Sequence, residues 1–184
     1  MKIFIAGSVN AKIKPKYLEG IDELGKYLIK NNHEIMCVGA PTGSIGKMYN
    51  TYIENNGHVD IIVPEPYAWE AEGMKAKSVT RVDTLYMLQQ IVLRNTQATI
   101  VLPGGNGTLA ELYMITDSVT SNFDTDIVII YNINGFYDKI KEMNNFLLES
   151  GALEDNQYDL FTFCNTTEEV IKALEKWEKH KTRK

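Results

Sequence analysis

The residues best placed to do chemistry together lie between Ala98 and Glu111. Ala98-Thr99-Ile100-Val101-Leu102 is apolar and β-branched and leads into Pro103-Gly104-Gly105-Asn106-Gly107-Thr108. Such a run reads as a buried parallel strand. Glycines after it let the backbone come close to a ligand. The unsatisfied N–H groups that open the following helix make an anion site. Gly104, Gly105, Asn106, Gly107 and Thr108 are therefore the expected phosphate loop, with the Thr108 hydroxyl as a further donor. Glu111, one turn into the helix, cannot sit on a phosphate, because like charges repel. Beside a phosphate it can accept hydrogen bonds from a sugar hydroxyl or move a proton. A phosphate pocket with a carboxylate next to it points to a nucleotide or sugar phosphate. A plainer reading of the same residues is a tight turn followed by a glutamate that complements the helix dipole.

The elements needed to position this loop follow from the alternation of short apolar runs with amphipathic segments. Strands are expected at Lys2–Ala6, Glu34–Val38, Val59–Val63, Ser78–Val82, Thr99–Leu102, Asp126–Tyr131 and Leu160–Cys164. Helices are expected at Pro15–Lys30, Gly43–Asn56, from an Asp83 cap to Asn95, at Thr108–Thr120 and at Phe136–Glu149. A final helix opens on Thr166-Thr167-Glu168-Glu169, a capping-box pattern. Pro64–Lys77 is irregular, either a lid or a surface loop. Strands alternating with helices at this spacing predict an α/β fold: a Rossmann-like, doubly wound, mainly parallel sheet with helices on both faces.

Ligands of doubly wound sheets bind at the carboxyl ends of the strands. Two more glycine-bearing segments are expected there: Gly7-Ser8, and Gly39 to Gly46 with Gly43 inside it. Each alone is turn chemistry; their common placement suggests one pocket. The spacing differs from the GxGxxG fingerprint and no acidic residue ends the second strand suitably, which argues against a dinucleotide site. Asn106 is placed to contact a base. Arg94, near the end of the third helix, is a candidate cation for the site and otherwise a solvated helix-end residue.

Pro103 to Glu111 matches PGGxGTxxE, and on this motif the chain resembles the Lonely Guy (LOG) family, long labelled as lysine decarboxylases. Ile3-Phe4-Ile5-Ala6-Gly7-Ser8 resembles that family's first strand and Gly-Ser turn. Gly39-Ala40-Pro41-Thr42-Gly43-Ser44-Ile45-Gly46 resembles its GGxxGLMG loop, with Ala40 in place of a glycine, and Asn134-Gly135-Phe136-Tyr137-Asp138 its DGYY segment. The resemblance runs over residues 1–153 in family order. It implies a phosphoribohydrolase that releases the base of a nucleoside 5′-monophosphate, with Glu111 catalytic. It also implies a homodimer built on helices near the motif. Leu85, Met87, Leu88, Ile91 and Val92 give an apolar helix that could serve, or that could cover the sheet of its own chain.

One departure bears on the chemistry. The family's MHxRK motif falls on Leu85 to Gln89, so Tyr86 stands for the histidine, Leu88 for the arginine and Gln89 for the lysine. Leucine neither donates a hydrogen bond nor carries charge. Two functions stay open: a nucleotide N-glycosidase, and a non-catalytic protein that keeps the phosphate loop and binds a nucleotide or sugar phosphate. Lysine decarboxylation is disfavoured, because no lysine sits in the context that pyridoxal-phosphate chemistry needs.

Composition bounds the rest. A chain of 184 residues, 44% hydrophobic and 23% charged, fits one ordinary globular domain over 1–184. The net charge of −5, without a broad basic stretch, argues against nucleic acid. The basic end, Lys179 to Lys184, reads as a solvated tail. Cys37 and Cys164 lie in apolar runs and are expected as buried thiols, and no Cys/His spacing suggests a metal site. No cofactor is expected. No apolar run approaches a membrane span and no leader precedes the first strand, so the expected location is cytoplasmic.

Overall fold

The computed structural model describes residues 1–120 and 127–181. The expected start of the sixth strand at Asp126 and the end of the basic tail fall outside these residues. Seven strands form one sheet: β1 (Lys2–Ala6), β2 (Glu34–Val38), β3 (Val59–Pro64), β4 (Ser78–Val82), β5 (Ala98–Val101), β6 (Ile127–Tyr131) and β7 (Thr162–Cys164). Their order is β4-β3-β2-β1-β5-β6-β7, and every described pairing is parallel. The helices are α1 (Ile21–Lys30), α2 (Gly43–Glu54), α3 (Leu85–Asn95), α4 (Asn106–Thr120), α5 (Asp138–Glu149), α6 (Asp155–Tyr158) and α7 (Thr167–Lys181).

The period-two alternation of the strands divides the core in two. Ile3, Ile5, Ile35, Cys37 and Ile100 point to one face, where Leu24 and Leu28 of α1, Met48 of α2 and Leu174 of α7 cover them. Phe4, Ala6, Met36, Val101 and Ile130 point to the other, where Leu88 and Val92 of α3 and Leu112 and Ile115 of α4 cover them. This is the doubly wound arrangement. The chain leaves β1 in one direction for β2, β3 and β4 and in the other for β5, so the order reverses between β1 and β5. That reversal opens a crevice at the carboxyl edge.

Several boundaries differ from the sequence expectation, each for a local reason. The helix expected over Pro15–Lys30 is two pieces: a 3-10 turn at Pro15–Leu18, then α1 from Ile21. Gly20 separates them at φ 76°, in the left-handed region. The cap of α3 is Thr84, whose side chain accepts from the Met87 N–H at 3.1 Å, and not Asp83. α4 starts at Asn106, so Thr108 lies inside its first turn. The irregular stretch after β3 contains a 3-10 helix, Glu65–Ala71. At α7 the Thr166 hydroxyl accepts from the Glu169 N–H at 3.2 Å, but the Glu169 carboxylate reaches the Asn165 N–H at 2.6 Å, one residue before the position a capping box requires.

Among the described residues no helix is long and apolar enough to cross a membrane. Cys37 and Cys164 are free and buried, and burial pushes both thiols up, to about 12 and about 11.

Candidate functional site

The ends of β1, β2 and β5 meet at the crevice, and one buried side chain ties them together. Ser44, at the start of α2, donates its hydroxyl to the Pro103 carbonyl at 2.7 Å. It accepts from the Ser8 N–H at 2.8 Å. The Ser8 carbonyl in turn accepts from the Ile45 N–H at 3.1 Å. Gly43 allows this approach: its φ is 72°, and any Cβ there would run into the Ser8 backbone. The loop after β1 is fixed further by its own turns, Asn10 N–H to Ser8 Oγ at 3.0 Å and Lys12 N–H to Asn10 Oδ1 at 2.9 Å.

The loop after β5 is anchored from below. Tyr137, buried, donates its hydroxyl to the Leu102 carbonyl at 2.6 Å. Thr108 packs against Gly104 so closely that no side chain fits at 104. Gly105 and Gly107 are different. A Cβ at either position would meet nothing within 4 Å, and neither has a positive φ. Packing and backbone conformation therefore do not require glycine there. Glycine in a helical turn costs about 1 kcal/mol relative to alanine. What the two glycines preserve is open space over the N–H groups that begin α4. No described acceptor is bonded to the N–H of Gly105, Asn106, Gly107 or Thr108.

This open space is part of a cavity of about 420 Å³, within the range of small-ligand sites. Gly7, Ser8, Gly39, Gly105, Gly107 and Thr108 line it, so the structure gathers six of the expected phosphate-site residues around one space. Glu111 lines it too. It is half-buried, and no described group forms a hydrogen bond or ion pair with it. Burial pushes its carboxyl from 4.5 up to about 7. Leu88, 2% exposed, forms part of the same wall. Among the described residues no lysine, arginine or histidine lines the cavity.

Four expected site residues stand apart from the cavity lining. Gly43 and Gly104 do structural work just behind it. Asn106 is exposed and does not line the cavity. Arg94 is a correction. α3 starts at the carboxyl edge of the sheet and runs back toward the amino edge. The six residues from Leu88 to Arg94 carry it about 9 Å along the axis. Arg94 lies instead in a groove between α3 and α4 with Gln90, Met114 and Asp117. The apolar stripe on α3 divides as well: Leu88 and Val92 are in the core, while Leu85 and Met87 are exposed.

The sequence reading missed the far wall. Val38, Val63 and Pro64 end the strands there, and Tyr67 and Glu70 come from the 3-10 helix after β3. Residues i and i+3 of a 3-10 helix eclipse. Ala68 and Ala71 are buried on one side, which leaves Tyr67 and Glu70 together on another, toward the cavity. The alternation of small and large residues in Tyr67-Ala68-Trp69-Glu70-Ala71 was the available signal.

Known proteins give a consistent picture. The cytokinin riboside 5′-monophosphate phosphoribohydrolase LOG4 of Arabidopsis thaliana is 25% identical over 93% of this chain and 80% of its own length. A probable enzyme of the same name from Oryza sativa, LOGL2, is 26% identical over 93% of this chain and 70% of its own. Among solved structures, the molybdenum cofactor carrier protein of Chlamydomonas reinhardtii superposes with a TM-score of 0.69 at 15% identity, covering 95% of this chain and 96% of that one. The molybdenum cofactor binding protein of Rippkaea orientalis gives 0.68 at 15% identity, over 95% and 94% of the two chains. These two share the fold. The family model described as "Possible lysine decarboxylase" matches residues 45–174. That span holds most of α2, the phosphate loop, Glu111 and strands β3 to β7, and the chain belongs to this family, the LOG family.

Proposed function

We propose that this protein binds a nucleoside 5′-monophosphate, or a related sugar phosphate, and acts on it as an N-glycosidase. The phosphate rests on the N–H groups of Gly105 to Thr108. The ribose lies beside Glu111, and the base extends toward β3. The observation that carries this reading is the pair Gly105 and Gly107, whose Cβ positions open onto the cavity with nothing within 4 Å. Gly107 costs helix stability, neither glycine serves packing, and a ligand on the backbone explains both.

In the reaction the C1′–N bond breaks, water supplies a hydroxyl to C1′, and a proton goes to the departing base. The ribose ring gains positive charge as the bond lengthens. An ionised Glu111 beside the ring stabilises that charge and can orient the water. Burial pushes the Glu111 carboxyl up to about 7, so it can hold or release a proton near neutrality.

Leu88 favours a second reading. The family's arginine position is a leucine in the cavity wall, so the wild type lacks that charge. A protein that binds a nucleotide without cleaving it would keep the loop and lose the pair. One experiment separates the two. The protein is incubated with nucleoside monophosphates, and binding is followed by thermal shift and free base by chromatography. Base release that Gly105→Val abolishes supports the N-glycosidase. Tight binding without any base release assigns the binding function. No thermal shift with any nucleotide overturns both.

A further inference from the structure

We propose that Glu70 reads the base of the bound nucleotide and selects guanine; this rests on the nucleotide reading above. Among the described residues, Glu70 and Glu111 are the two charged side chains that line the cavity, one from the 3-10 helix after β3 and one from α4 after β5. The phosphate loop follows β5, and Glu70 follows β3. Between those strands lie β1 and β2. The 3-10 helix that carries Glu70 packs its Ala71 against Gly39 after β2, so two to three inter-strand spacings of about 4.8 Å, roughly 10–14 Å, separate the two ends. That is the length scale of a nucleoside monophosphate laid across the strand ends. A phosphate at Gly105–Thr108 and a ribose at Glu111 then bring the base under Val63, Pro64 and Leu88, with its outer edge at Glu70.

Glu70 suits this task. It is half-buried, and no described group forms a hydrogen bond or ion pair with it, so its oxygens are free to accept. It stands at the base end of the ligand, away from the phosphate, and distance reduces their repulsion. The apolar wall gives stacking area but discriminates weakly between bases. An ionised carboxylate only accepts hydrogen bonds, and it accepts two parallel ones well. Guanine presents N1–H and the N2 amino group side by side. Adenine presents its N6 amino group next to the N1 lone pair, and cytosine its N4 amino group next to N3. Uracil presents one N–H between two carbonyl oxygens. Each of the last three sets an acceptor against a carboxylate oxygen, and guanine alone offers two adjacent donors.

The test is isothermal titration with the 5′-monophosphates of guanosine, adenosine, cytidine and uridine, and with ribose 5-phosphate as the base-free control. Wild type binds guanosine monophosphate at least about tenfold tighter than the other three, the scale of one charge-assisted hydrogen bond. Glu70→Gln, which offers a donor and an acceptor side by side, loses that margin and moves toward adenosine monophosphate. Glu70→Ala loses it without the move. Both variants keep the wild-type affinity for ribose 5-phosphate, which also reports a folded phosphate site. Equal binding of all four nucleotides, or a preference that Glu70→Gln leaves unchanged, overturns the assignment of Glu70 while ribose 5-phosphate binding stands. Failure of ribose 5-phosphate and every nucleotide to bind removes the nucleotide reading itself, and the Glu70 assignment with it.

Discussion

Leu88 and Glu111 line one cavity, the leucine at the family's arginine position and the glutamate with no described partner. The high pKa of Glu111 and the apolar wall share this cause. Burial raises the carboxyl, and no neighbouring cation brings it down.

Leu88→Arg should supply the missing cation. The side chain leaves the buried position of Leu88 with its head group in the cavity, beside Glu111. Release of base from a nucleoside monophosphate is expected to rise by about tenfold or more, since one well-placed charge contributes on that scale. Burying the stem and desolvating the charge lowers the melting temperature. A folded Leu88→Arg protein with unchanged turnover would show that the arginine position does not limit the reaction.

Glu111→Gln should lower any turnover by about a hundredfold, the effect of removing one preorganised charge. Nucleotide binding persists. The same substitution has a signature in stability. The folded pKa of about 7 lies above the usual 4.5, so the native state holds the proton more tightly. The stabilisation linked to that proton is complete below about 4.5 and is lost as pH rises through about 7. Thermal melts from pH 4 to 8 should therefore show Glu111→Gln gaining on wild type as pH rises. In wild type, kcat/KM should rise with pH through about 7, as the ionised form accumulates. A flat stability difference across that range counts against the buried, unpaired carboxylate.

Gly107→Ala should stabilise the protein and weaken the ligand. The methyl enters open space, and alanine is favoured over glycine in a helix by up to about 1 kcal/mol. It also narrows the approach to the N–H groups of α4. A higher melting temperature with weaker ribose 5-phosphate binding is the expected pair of results. Stabilisation with full affinity would place the phosphate elsewhere.

Ser44→Ala should cost about 1–2 kcal/mol, the loss of one buried hydroxyl that both donates and accepts. Because Ser44 joins the loop after β1 to the loop after β5, ligand affinity should fall as well. Chemical denaturation measures the first effect and titration the second. Lower stability with wild-type affinity would make Ser44 a packing residue alone.

Much of this fold could be read from residue pattern. The strands β1 and β2 match their expected limits, because apolar runs in a doubly covered sheet leave little ambiguity, and the exposed edge strand β4 matches through its β-branched Val79, Thr80 and Val82. The phosphate loop was legible because glycines follow a buried strand. Other features depend on tertiary neighbours. Gly20 breaks a helix whose apolar stripe is continuous in sequence because both pieces pack on the same core. Arg94 was drawn toward the site by sequence proximity, but helix direction carries it away. Tyr67 and Glu70 lay in a proline-rich stretch without helical or strand period, and only the three-fold period of a 3-10 helix brings them to the cavity.

The hydrogen bonds beneath the β5 loop also set the polarity of its outer surface. Tyr137 takes up the Leu102 carbonyl, and Ser44 takes up that of Pro103. The oxygen lone pairs are consumed on the inner side, which leaves the outer side of the loop with donors. The attraction for an anion thus comes from fixed neutral dipoles. They carry no proton to lose in the neutral range and no counterion to displace, so the loop itself adds no pH dependence and little salt dependence, and any change of phosphate affinity near neutrality comes from Glu111 and from the phosphate's own second ionisation.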